Sequence, residues 1–120
     1  MTDITSGHTS GGPGITQERR LVTAIPGPRS QELAARKAKA VASGVAVGLP
    51  VQVVAAGGGI LVDADGNQLI DLGSGIAVTT VGNSAPRVVE AVTRQVAEFT
   101  HTCFMVTPYE GYVEIGRAHV

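Results

Sequence analysis

The feature that most constrains the fold of this chain is a pair of short apolar runs separated by a turn sequence. Residues 60–62 (Ile-Leu-Val) are followed by residues 63–66 (Asp-Ala-Asp-Gly), and a second apolar run with polar flanks occupies residues 68–71 (Gln-Leu-Ile-Asp). An aspartate that opens a four-residue turn and a glycine that closes it are typical of a type I turn, in which the glycine takes a left-handed conformation. The pattern therefore predicts a β-hairpin.

A glycine-punctuated segment, residues 73–78 (Gly-Ser-Gly-Ile-Ala-Val), follows the predicted hairpin. Glycine lets the backbone approach another group closely, because it carries no Cβ. Ile76 is the branched apolar residue that comes directly after the two glycines. Because Ile76 follows these glycines after the hairpin, we expect it to lie on a loop, where binding residues are often placed.

The chain before the hairpin is predicted to contain one helix and one strand. Ser30 is expected to cap a helix from Gln31 to about Ser43, and Gly44 is expected to end it. Residues 51–54 have the β-branched composition of a short strand. The three glycines at residues 57–59 are interpreted as a turn that leads into the hairpin.

The chain after the hairpin is predicted to be helical. Residues 86–99 form a helix with Pro86 in its first turn, where the missing N–H costs nothing. One face of this helix is an apolar stripe made of Val88, Val92, Val96 and Phe99. A further helix is expected to begin at Pro108.

Composition excludes several classes of protein. The net charge of −1 over 120 residues gives no indication of binding to nucleic acid or to an anionic membrane surface. No apolar run approaches the roughly 20 residues of a membrane-spanning helix, and the first residues lack the pattern of a secretory signal. Cys103 is the only cysteine, so no intrachain disulfide can form. We expect a soluble, cytoplasmic chain.

Two patterns invite a metal or phosphate site, and both have a simpler explanation. Asp63, Asp65 and Asn67 match the first half of a calcium-binding loop, but Ser74 stands where a bidentate glutamate is required. The glycines at 57–59 precede a strand and lack the Lys-Ser/Thr of a phosphate-binding loop. Turns explain both patterns, so no metal site is predicted.

No catalytic residue is predicted either. Cys103 and His101 are two residues apart, which suggests a nucleophile and its base, but no third orienting group or oxyanion site accompanies them. Cys103 is interpreted as a small buried apolar residue. His8 lies in a Thr-, Ser- and Gly-rich stretch without a companion ligand.

Taken together, the motifs resemble a known family. The run from Gly59 to Asp71, with Gly75-Ile76-Ala77-Val78, Gly82, Pro86, Val88-Val89 and Ala91-Val92, resembles the N-terminal region of class III (ω) aminotransferases. The run from Phe99 to Phe104, with Pro108-Tyr109-Glu110 and Tyr112, is similar to the branch of that family that acts on 4-aminobutyrate. Many relatives carry Gly-His-x-His-Pro before the second helix, where this chain has Gly82-Asn83-Ser84-Ala85-Pro86.

The resemblance implies a fold and a division of the chain. The fold class is α/β, as an incomplete α+β piece of the aspartate-aminotransferase fold (fold type I of the pyridoxal-phosphate enzymes). Residues 1–15 are expected to be a disordered tail, and residues 16–114 to be the N-terminal segment of the aminotransferase. Residues 115–120 do not continue the family's pattern, and we interpret them as a non-native tail derived from adapter DNA.

The resemblance also implies an activity for a longer parent enzyme. Pyridoxal phosphate would accept the amino group of 4-aminobutyrate and pass it to 2-oxoglutarate, giving succinate semialdehyde and glutamate. A homodimer or larger homo-oligomer is implied for the intact enzyme. Two alternatives stay open: another class III aminotransferase with ornithine, acetylornithine or a diamine as donor, and a small non-catalytic interaction module.

By the same resemblance, Ile76 and Met105 would line the substrate pocket, although both also suit an ordinary core. The two lysines of the chain, Lys37 and Lys39, stand beside Arg36 on a polar helix face. An imine-forming lysine needs a desolvated or cation-lined pocket. We therefore predict no cofactor-binding residue, no bound pyridoxal phosphate and no catalysis for these 120 residues alone.

Overall fold

The computed structural model describes residues 14–117. Residues 1–13, which make up most of the predicted disordered tail, lie outside the described residues, as do residues 118–120 of the predicted non-native tail. The chain divides after Pro86 into two units. Each unit is described by itself below.

The first unit is an α+β structure, in agreement with the predicted α+β piece. It contains helix α1 (Pro28–Ala40), strands β1 (Val53–Gly57), β2 (Ile60–Asp63) and β3 (Gln68–Ile70), and a single helical turn, α2 (Ser74–Ala77). Helix α3 (Pro86–Glu98) begins at the boundary and leads into the second unit, which ends with helix α4 (Glu110–Arg117).

The three strands form one antiparallel sheet in the order β1-β2-β3. The predicted hairpin is confirmed: β2 pairs with β3, with Leu61 opposite Leu69, across the turn at residues 63–67. The predicted strand at 51–54 instead runs from Val53 to Gly57. Its bounds are set by pairing with β2, where Gly57 lies opposite Ile60, and local β-propensity alone does not determine them.

The turn between β2 and β3 is held by buried polar side chains. Asp63 is 1% exposed and Asn67 is fully buried. One carboxylate oxygen of Asp63 accepts the backbone N–H groups of Asp65 and Asn67 at 2.9 and 2.8 Å, and the other accepts the Asn67 side-chain amide at 2.8 Å. The predicted turn is thus closed by its own side chains.

The same asparagine ties an earlier part of the chain to the turn. Asn67 Oδ1 accepts the backbone N–H groups of Val22 and Thr23 at 2.8 and 2.9 Å. Arg20 and Gln68 exchange both backbone hydrogen bonds, so residue 20 extends the sheet beyond β3. The sequence patterns gave no indication of these contacts, because each joins residues more than 40 positions apart.

Helix α1 differs from its prediction at both ends. Its N-cap is Gly27 and not Ser30, and it ends at Ala40 and not near Ser43. Ser30 is buried within the first turn, and the capping acceptor is Asp65 from the hairpin turn. A side chain that is distant in sequence has therefore replaced the local cap, and the helix starts three residues earlier than predicted.

Helix α3 confirms the predicted helix, which ends one residue earlier than expected. Its apolar stripe is about half-exposed at Val88, Val92 and Val96. Helix α4 begins two residues after Pro108 and continues through residues 115–117, which the sequence assigned to a non-native tail. Within residues 14–117, no helix combines the length and the apolar character needed to cross a membrane.

Candidate functional site

The site predicted from the sequence rests on Ile76, which the structure places on a loop. This segment, residues 71–79, is called the Ile76 loop below. It follows β3 directly and contains the single turn α2. The Ile76 side chain is 95% exposed, so the described residues do not cover it.

Asp71 organises the beginning of the Ile76 loop. Its Oδ1 accepts the backbone N–H of Gly73 at 3.0 Å and that of Ser74 at 2.7 Å. An aspartate that accepts backbone N–H groups two and three residues further along the chain forms a typical Asx turn. Asp71 was not among the predicted site residues, although an aspartate two residues before Gly-Ser is a recognisable signal for this turn.

Four consecutive residues of the Ile76 loop have left-handed backbone conformations. The φ angles are 48° at Ser74, 61° at Gly75, 64° at Ile76 and 61° at Ala77. This region is free of strain only for glycine, and it is least favourable for a β-branched residue such as isoleucine. The loop therefore holds Ile76 in a conformation that the isoleucine would not adopt by itself.

Met105, the second predicted site residue, belongs to the second unit. It lies in a turn in which the Cys103 carbonyl accepts the backbone N–H groups of Val106 and Thr107, both at 2.9 Å. The Thr102 hydroxyl donates to the Thr107 carbonyl at 3.0 Å and closes the same turn. Met105 is 92% exposed at this position. Ile76 and Met105 thus lie on separate units, and each is presented on a turn.

An aromatic cluster stands next to the Met105 turn in sequence. Its four rings are all the aromatic side chains of the chain: Phe99, Phe104, Tyr109 and Tyr112. The ring centroids of Phe104 and Tyr112 are 4.5 Å apart, and those of Phe104 and Tyr109 are 5.5 Å apart with the rings nearly perpendicular. Such edge-to-face and tilted pairs are favourable arrangements, so the cluster stabilises the residue that precedes Met105.

The interpretation of Cys103 as a buried residue is wrong. Its side chain is exposed, and its carbonyl holds the turn at residues 103–107. His101 is also exposed. The described residues therefore enclose neither side chain.

The calcium-loop alternative does not fit the geometry of the hairpin turn. The oxygens of Asp63 and Asn67 already accept hydrogen bonds from within the turn and from Val22 and Thr23. Asp65 is turned toward helix α1. Within residues 14–117, no group of three or more metal-ligating His, Cys, Asp or Glu side chains occurs.

Asp65 is the one described carboxylate with a clearly shifted pKa. Its two oxygens accept the backbone N–H groups of Arg29 at 2.7 Å and Ser30 at 2.9 Å. Loss of hydration raises its pKa, but the adjacent Ser30 hydroxyl, these two N–H groups and the charge of Arg29 together bring it below 3.8. The Ser30 hydroxyl acts by its proximity, since it completes no well-formed hydrogen bond.

Neither lysine of the chain fits a pyridoxal-phosphate site. Lys37 Nζ donates a hydrogen bond to the Val45 carbonyl, and Lys39 is exposed on helix α1. A lysine that forms an imine with this cofactor is desolvated in a pocket or stands next to another cation within one. Because neither lysine lies in such a pocket, we assign no step that involves the cofactor to these residues.

Comparison with known proteins connects the chain to one family. The model of the family "Aminotransferase class-III" matches residues 40–118. The 4-aminobutyrate aminotransferase of Mycobacterium tuberculosis is 73% identical over 103 residues, which are 86% of this chain and 23% of that protein. The 4-aminobutyrate aminotransferase of Mycobacterium leprae is 65% identical over 101 residues, 84% of this chain and 23% of that protein.

A relative that is named for a different amino donor is more distant. The 5-aminovalerate aminotransferase of Pseudomonas putida is 41% identical over 86 residues, which are 72% of this chain and 20% of that protein. The chain thus spans about a quarter or less of the length of these curated relatives.

Proposed function

Because the chain belongs to the class-III aminotransferase family, we propose that the whole protein transfers the amino group of 4-aminobutyrate to 2-oxoglutarate. The products are succinate semialdehyde and glutamate. The observation that carries this proposal is the high identity to 4-aminobutyrate aminotransferases across most of the chain. The whole protein then has the aspartate-aminotransferase fold, acts in the cytoplasm and forms a homodimer or larger homo-oligomer.

Pyridoxal phosphate is the cofactor that this activity requires, and the family membership supports it. The cofactor supplies the electron sink for amino transfer, while the protein binds and orients the reactants. Lys37 and Lys39 do not fit its site, so the proposal places the cofactor on residues of the whole protein outside these 120.

The contribution of this chain is an apolar wall of the substrate pocket. In the proposal, Ile76 and Met105 contact the methylene chain of the amino donor and exclude water from it. Their nearly complete exposure supports this role, because each side chain is available to a ligand or to another part of the protein. Removing water from the pocket strengthens the polar interactions that orient the reacting groups.

The test is a comparison of donors with the whole protein loaded with pyridoxal phosphate. We expect 4-aminobutyrate with 2-oxoglutarate to give glutamate and succinate semialdehyde with the highest kcat/KM. The other donors are 5-aminovalerate, ornithine, acetylornithine and a diamine such as putrescine. A higher kcat/KM for one of these would replace the proposed donor, and no transamination with any of them would refute the proposal.

A further inference from the structure

The Ile76 loop has a backbone conformation that its own residues do not favour. Ser74, Ile76 and Ala77 are all in the left-handed region, although none of them is glycine. Each such residue is less stable there than in its preferred conformation. Conformations of this kind persist only where the surrounding structure enforces them. The residues that enforce them here therefore determine where Ile76 is presented.

Asp71 occupies the point at which the loop is joined to the sheet. Its backbone N–H donates to the Gly59 carbonyl at 2.9 Å, which fixes Asp71 to the turn between β1 and β2. Its Oδ2 receives a longer hydrogen bond, 3.4 Å, from the Asn83 side chain. Asn83 in turn exchanges two backbone hydrogen bonds with Gly58, both at 2.9 Å. The carboxylate is thus held from the sheet side while its Oδ1 holds Gly73 and Ser74.

Ser74, whose backbone N–H Asp71 holds, also closes the far end of the loop. The hydroxyls of Ser74 and Thr79 are 2.5 Å apart, and the Ser74 carbonyl accepts the backbone N–H of Val78 at 2.7 Å. Ser74 is therefore the common point of both sets of contacts. If the Asp71 carboxylate is removed, Ser74 loses the bond that fixes its backbone, and the strained residues after it can relax.

We propose that Asp71 is a positioning residue that sets the location of Ile76 in the donor pocket. This inference rests on the proposed function, because Ile76 is assigned to that pocket there. Asp71 does not contact the donor itself. It acts through the two backbone hydrogen bonds that hold the Ile76 loop in its left-handed conformation.

The test compares three variants of the whole protein loaded with pyridoxal phosphate. We expect Asp71→Ala to raise the KM for 4-aminobutyrate by about tenfold, with kcat changed by less than about twofold, since the strength of charged hydrogen bonds corresponds to this range. Asp71→Asn keeps an oxygen that accepts from Gly73 and Ser74 and loses only the longer bond, so its KM should stay near the wild-type value.

Asp65→Ala is the matched control. Asp65 lies in the neighbouring hairpin turn and also accepts two backbone N–H groups, but these belong to helix α1 and not to the Ile76 loop. We expect this variant to melt at a lower temperature and to keep the wild-type KM. An unchanged KM in Asp71→Ala, or an equal increase in Asp71→Asn, would refute the positioning role.

A second measurement does not depend on activity. Hydrogen exchange at the amides of Gly73 and Ser74 should be faster in Asp71→Ala than in the wild type, and close to the wild type in Asp71→Asn. If Asp71→Ala does not fold, Asp71→Ser is used in its place. A wild-type exchange rate together with a wild-type KM in that variant would refute the proposal. If the wild type transaminates no donor, the proposed function fails, while exchange still decides whether Asp71 holds the loop.

Discussion

At the scale of single residues, the first unit is stabilised by side chains that satisfy backbone groups elsewhere in the chain. Asp65 caps helix α1, Asn67 holds residues 22 and 23, and Gln17 accepts from the Gly59 amide and donates to the Gly57 carbonyl, both at 3.0 Å. A buried donor or acceptor without a partner lowers the stability of the folded state. Each of these side chains therefore adds a hydrogen bond and also prevents a backbone group from being left without one. Of the large apolar side chains that the structure describes, Ile60 is the buried one, at 4% exposure.

Gly27 illustrates how closely these contacts are fitted. A Cβ added at Gly27 would stand 2.6 Å from Asp65 Oδ1 and 2.7 Å from Asp65 Cβ. Gly27→Ala should therefore displace the Asp65 carboxylate and lower the unfolding free energy, because helix α1 loses its capping acceptor. The measurement is chemical denaturation of the whole protein. Gly44→Ala is the control, because a Cβ at Gly44 meets nothing within 4 Å. Equal stability of the two variants would contradict the prediction.

At the scale of elements, the sequence predicted what is determined by near neighbours. The hairpin at residues 60–70 and helix α3 follow from the turn sequence and from the apolar period, and both are present. The start of helix α1 could not be predicted in this way, since its capping carboxylate lies 36 residues away from Arg29. The Ile76 loop was expected, but its left-handed conformation was not, because Asp71 was not recognised as the start of the Asx turn that holds Gly73 and Ser74.

Helix α1 should respond to pH through its cap. Because the pKa of Asp65 is lower in the folded protein than its ordinary value of 3.8, folding favours the ionised form. The stabilisation is therefore complete above about pH 4 and is lost as the pH falls through the folded pKa. Hydrogen exchange at the Arg29 and Ser30 amides should accelerate over this range in the wild type. In Asp65→Asn the change should be absent, since the amide does not titrate there; an identical acceleration in that variant would assign the effect to another group.

At the scale of the whole molecule, many large apolar side chains of the described residues are exposed. Ile76 and Met105 are nearly fully exposed, and the stripe on helix α3 is half-exposed. Exposed apolar patches mark surfaces that bind a ligand or another protein surface. This distribution supports the proposal that these 120 residues contribute a wall to a larger active site, in which the remaining groups come from other parts of the protein.

The proposal that pyridoxal phosphate binds outside these 120 residues can be tested directly with the cofactor. Lys37 donates to a carbonyl and Lys39 is exposed, so neither is placed to form a stable imine with pyridoxal phosphate. Titrating the purified 120-residue chain with the cofactor should give no stoichiometric imine absorbance, whereas the whole protein should show one. Replacing Lys37 and Lys39 in the whole protein with glutamine should leave its absorbance and its kcat unchanged. A stoichiometric imine in the short chain that Lys37→Gln or Lys39→Gln abolishes would move the cofactor site onto helix α1 and overturn the proposed arrangement.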